Sequence, residues 1–173
     1  MRFLKIVIAM ISFTVSDGQI ALPTIQAVHK PHNASIGIPE NPLGDSGLIP
    51  SNINVGWNWM MGHTFTPQVN GSITQLGGYF NGTKTVRLWQ YSSGALLGSV
   101  SHTGSNNWTY TNLSPNVSVT AGTKYVVAVA LNGNGGAYRR DNTHPIGNTY
   151  GNIVIECNVL QSSYDSDVMP NWS

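Results

Sequence analysis

The chain has 173 residues, of which 9% are charged, and a formal net charge of +1. Its length suits one domain with appendages, and so sparse a charge leaves no basic face for a phosphate backbone, which argues against nucleic acid as a partner. The single cysteine, Cys157, excludes an internal disulfide and a multi-cysteine zinc site.

Arg2 and Lys5 flank the start of an apolar run, Ile6 to Val15, that is too short to span a bilayer. With the small residues Ser16 and Gly18 behind it, the run reads as a signal peptide over residues 1–18 and predicts a secreted or extracellular-surface protein. A true N-terminal strand is the alternative reading. No other segment could cross a membrane. Residues 19–51 are dotted with Pro23, Pro31, Pro39, Pro42 and Pro50 and hold no sustained period, so they read as an extended lead-in or linker.

Residues 52–173 then read as a folded domain of short strands. In NINVGWNWMMGHTFTP, residues Val55, Trp57, Trp59, Met61, His63 and Phe65 alternate onto one face, the face to be buried. SITQLGGYF follows Asn70-Gly71, and its Gly77-Gly78 pair suggests a bulge or a close backbone approach. KTVRLWQY and ALLGSVSH form a hairpin around Ser92-Ser93-Gly94. The segment LSPNVSVTAGTKYVVAVAL organises the rest. A strand ending at Val119 turns at Thr120-Ala121-Gly122 into a strand with Tyr125, Val127, Val129 and Leu131 on one face and Val126, Ala128 and Ala130 on the other. Apolar residues on both faces place that strand in mid-sheet with something packed on each side. AYRRD and NIVIECNVL complete eight or nine strands with no helical period, an all-β, antiparallel β-sandwich of fibronectin-like or jelly-roll-like type.

The run MGHTFTPQVNGSITQLGGYF, then VRLWQYSSGALLGSV, VSVTAGTKYVVAVAL and YGNIVI, resembles a bacterial family of β-sandwich domains of unknown function. The features that carry the likeness are Gly62 to Phe65, Leu88-Trp89, Gly94 to Leu97 and Thr120 to Tyr125, within residues 55 to 165. The resemblance implies a domain repeated in secreted, cell-surface and polysaccharide-associated proteins, and it brings no catalytic residues with it. VTAGTKY is also similar to a fibronectin-like signature in which a tyrosine hydroxyl pins a strand-connecting corner, which implies a structural Tyr125. Where the family carries one more closing strand, this sequence ends in Met169-Pro-Asn-Trp-Ser173. The expectation is an open edge near Val168 to Ser173, filled by a strand-pairing protein partner or in cis by the lead-in.

The seven carboxylates are Asp17, Glu40, Asp45, Asp141, Glu156, Asp165 and Asp167, and they offer no pair facing across a cleft as a glycosidase needs. There is no GxSxG, no HExxH and no phosphate-cradling glycine motif, so the sequence reads as a non-enzyme. Binding has more material. Tyr138, Arg139, Arg140 and Asp141 set an aromatic beside forked donors and a carboxylate in a loop, the expected ligand rim, although an Arg–Asp surface pair explains the same residues. Asp165 and Asp167 form a D-x-D that could contribute hard oxygen ligands to Ca²⁺. Trp57, Trp59 and Trp89 read as core rings. Seven Asn-x-Ser/Thr sequons, at Asn33, Asn70, Asn81, Asn107, Asn112, Asn116 and Asn171, exceed chance and are attributed to turn chemistry. Two functions follow as expectations: a non-catalytic extracellular module for carbohydrate or polysaccharide, or a structural spacer whose rings are all internal.

Overall fold

A computed structural model of the chain describes residues 20–29, 39–45, 47, 49–50, 52–134, 136–139, 149–161 and 165–170. The expected signal-peptide segment and part of the lead-in, together with Arg140 and Asp141, lie outside these residues. The described elements are β1 (Ile20–His29), β2 (Pro39–Glu40), α1 (Pro42–Asp45), β3 (Asn52–Val55), β4 (Met60–Pro67), β5 (Gly71–Gln90), β6 (Leu96–Val119), β7 (Tyr125–Ala130), β8 (Gly136–Arg139), β9 (Thr149–Tyr150) and β10 (Ile153–Gln161). The protein is all-β and its strands pair antiparallel throughout. They form one hydrogen-bonded sheet in the order β3-β8-β1-β5-β7-β4-β10-β9, with β2 beside β1 and β6 beside β5.

The long β5–β6 hairpin holds the sheet together. Its first half pairs with β1 and its second half with β7, so two groups of strands share one backbone ladder. β1 also lies against β4 and β7 without pairing to either, so the sheet turns back on itself. The bend sits at a register shift between Phe80 and Asn81, where Gly82 and Asn106 take positive φ angles of 78° and 56°. Glycine and asparagine tolerate that conformation better than other residues. Asn81-Gly82 and Asn106-Asn107 look like turn signals in the sequence. Here the strands run on through both, with Asn106 the extra residue of a single bulge opposite Phe80 and Asn81.

The main core fills the space enclosed by this bend. Ile25, Phe65, Leu76, Phe80, Val86, Leu88, Val127 and Val129 are all buried in it. β7 is a mid-sheet strand between β5 and β4, with both faces covered as its pattern requires. Tyr125, Val127 and Val129 face the main core, while Val126 and Ala128 join Met60 and Trp89 in a second cluster on the opposite face. The corner before β7 also matches expectation: Thr120 N–H donates to Tyr125 Oη at 3.0 Å, and the tyrosine ring stacks on Phe65.

The lead-in departs from its sequence reading. Residues 20–29 form β1, inside the sheet, and Leu43 of α1 is fully buried in the main core. Pro23 disguised the strand. On the side of β1 away from β5, β8 meets Ile20 and Ala21 and β2 meets Ala27 and Val28, so among the described residues Pro23 falls between the two where no donor is needed.

Candidate functional site

The described aromatics divide by environment. Trp89 and Tyr125 are buried, Tyr91 is exposed, and Trp57, Trp59, Tyr79, Trp108 and Tyr110 are intermediate. Lys124 sits 5.3 Å over the Tyr91 ring and pairs with Glu156, which also accepts from Thr66 Oγ1; that cluster satisfies itself. Tyr79 and Trp108 are register partners in an edge-to-face contact at 5.9 Å.

The Trp57–Trp59 pair has more around it. The two rings stack at 5.6 Å and 24°, each with one side against the main core. They lie in the short connection from β3 to β4, and a second connection, from β7 towards β8, is hydrogen-bonded to it. Leu131 N–H donates to Trp59 O at 2.9 Å and Gly133 N–H to Trp57 O at 2.8 Å. The turn is built by Asn132 and Gly133, both left-handed at φ 52° and 78°, which is the usual chemistry of a tight two-residue turn. Asn58, Asn132 and Asn134, in the same two connections, are exposed.

Lys84 fixes this turn from below. It is buried on β5, and its Nζ donates to Leu131 O at 2.8 Å and to Asn134 Oδ1 at 3.1 Å. Burial pushes its pKa below the ordinary lysine value. Its cross-strand partner is His102, also buried, whose two ring nitrogens meet the hydroxyls of Thr111 and Thr109 at 2.8 and 2.9 Å. Burial lowers the His102 pKa as well. The result is a preformed rim: two stacked indoles and three exposed amides, held by a charge-assisted anchor.

Of the ligand residues expected from sequence, Tyr138 and Arg139 belong to strand β8 rather than to a loop, and Arg140 and Asp141 lie outside the described residues. Tyr138 pairs with Ala21 and with Asn52, while Gly136 pairs with Val55. β8 therefore runs beside β3, which leads through Gly56 directly into Trp57. Asp165 and Asp167 both meet the guanidinium of Arg87, Asp167 at 2.8 Å from Nε and Asp165 beside Nη1. Thr85 Oγ1 adds a bond to Asp165, and Trp89 Nε1 donates to Asp167 O at 2.9 Å. The two carboxylates thus share one guanidinium. No group of three or more His, Cys, Asp or Glu that could hold a metal occurs among the described residues.

Sequence reasoning missed Lys84, Asn132 and Asn134. A lysine at a core-facing position of an apolar strand was the available signal, because such a cation must find acceptors. The model of a domain of unknown function, DUF4082, matches residues 50–171. No curated protein and no solved structure matches the chain.

Proposed function

We propose, for a chain that belongs to the family of the domain of unknown function DUF4082, a non-catalytic extracellular module that binds carbohydrate through Trp57, Trp59 and the Asn132–Asn134 turn. The observation that carries this reading is the stacked, half-buried indole pair flanked by exposed amides. Indole faces contact the C–H faces of sugar rings, and amides bond hydroxyls without charge. A fixed site of this kind loses little freedom on binding. Tyr138 and Arg139 extend the site along β8, and polysaccharide is the partner class. The architecture we propose is a two-layered antiparallel sandwich whose layers are β3-β8-β1 with the first half of β5, and β7-β4-β10-β9 with its second half. The leader at residues 1–18 would export it.

The test is retention of the full chain on insoluble polysaccharides, with release of reducing ends measured in parallel. Wild type should be retained without releasing sugar, and Trp59→Ala should lose retention while staying folded. Equal retention of both proteins would remove the site, and sugar release would make the protein an enzyme.

One observation favours the second reading, a structural spacer. Trp57, Trp59, Tyr79 and Trp108 all pack partly against the main core, so their rings also serve stability. Under that reading no polysaccharide retains the wild type.

A further inference from the structure

The expected strand-pairing site near Val168 does not coincide with the longest strand edge among the described residues. Residues 165–170 lie across the face of the sheet, with Met169 against Met60, Trp89, Val126 and Ala128. The long edge belongs to β6. Among the described residues β6 pairs with β5 alone, from Leu96 to Val119 with three interruptions.

Proteins ordinarily guard such edges with lysines, inward charges, prolines or bulges. β6 contains no Asp, Glu, Lys or Arg in its 24 residues. Its irregularities sit at Leu97, at Asn106 and beyond Asn112, which leaves Gly98 to Ser105 in unbroken register with β5. That stretch has no proline, and it alternates cleanly. Val100, His102 and Gly104 are buried, and Ser99, Ser101, Thr103 and Ser105 are exposed.

We propose that the Gly98–Ser105 segment of β6 is a self-association edge, pairing antiparallel with the same segment of a second copy of this chain. An edge without charge offers nothing for a charged partner to recognise, but it can meet itself around a two-fold axis with no repulsion in any register. The exposed hydroxyls suit that arrangement. Thr103 Oγ1 already lies 2.8 Å from Thr83 Oγ1 across the β5–β6 ladder, a cross-strand hydroxyl contact of the kind that would recur across the new one. Because outward residues must stay on the outward face, Ser101 meets either Ser101 or Thr103 of the second copy when the axis passes near the middle of the segment. The buried side chains then continue beneath both sheets.

Sedimentation of the full chain from micromolar to millimolar concentration tests this. Wild type should shift from monomer to dimer. The double variant Ser101→Lys, Thr103→Lys places like charges opposite one another in either register and should dimerise about tenfold more weakly, or not at all. The double variant Ser101→Glu, Thr103→Glu should behave the same, and mixing the two variants should restore a dimer. An unchanged melting temperature for both variants separates loss of pairing from loss of fold, since all four positions in the exposed row face solvent. A wild type that stays monomeric, a lysine variant that dimerises like wild type, or a mixture no more associated than its components would each overturn the proposal.

Discussion

At the scale of single residues, His63 is buried where its charged form is strongly disfavoured. It is fully buried on β4 between Val127 of β7 and the β10 strand, and burial lowers its pKa from 6.5 to about 4. The folded protein therefore binds this proton less readily than the unfolded chain. Stability contributed by neutral His63 is present above pH 6.5, falls as the pH drops, and is gone near pH 4; the shift corresponds to about 3 kcal/mol. Denaturant titrations at pH 7 and pH 4.5 should show that loss, and His63→Leu should flatten it. Tyr125 makes a second prediction at this scale. Tyr125→Phe keeps the ring on Phe65 but leaves Thr120 N–H without its acceptor, so it should cost about 1–2 kcal/mol in the same titration. The role of Tyr125 was legible in VTAGTKY because a local turn and an adjacent strand fix it. The role of Lys84 was not, since its acceptors, Leu131 O and Asn134 Oδ1, come from residues some fifty positions away.

At the scale of elements, strands with strong alternation were readable and their merging was not. β7 declared itself because seven consecutive positions are apolar, and the hairpin turn because Gly94, at φ 67°, follows two serines. The sequence also suggested separate strands on either side of Asn81-Gly82. The same dipeptide serves a turn or a bulge, and only the long-range ladder to β1 and β7 decides between them. The sequons divide likewise: Asn81 and Asn107 accept the N–H of the residue that follows each, Gly82 and Trp108, which is local chemistry, whereas Asn70 accepts the N–H of Ala121 across the fold. The 165–170 strap was illegible as a clamp because Arg87 and the two aspartates are some eighty residues apart. Arg87→Ala should free the strap, raising amide exchange at residues 165–170 and on the Met60–Trp89 face, with a loss of about 1–2 kcal/mol after allowance for the exposed Asp167. Close packing gives a further prediction. A Cβ on Gly62 would collide with the carbonyl oxygen of Val127, so Gly62→Ala should destabilise by about 3 kcal/mol in a thermal melt.

At the scale of the whole molecule, an all-β chain with little charge keeps its surface wettable through amides and hydroxyls, and it concentrates half-buried rings at a few places. One of those places, the Trp57–Trp59 pair, is joined by hydrogen bonds to the turn that presents Asn132 and Asn134, and Lys84 holds that turn rigid from the core. The class of the fold followed from periodicity, whereas the candidate site depends on two connections that meet only after β4 and β7 have paired. The binding role proposed for this rim rests on its fixed geometry and partial exposure. It is tested most directly by observing the five tryptophan indole N–H signals in an NMR titration with soluble polysaccharide fragments. Shifts at Trp57 and Trp59, with Trp89 unmoved in its bond to Asp167 O, are the predicted result. Shifts confined to Trp108, or none with any saccharide, would contradict it.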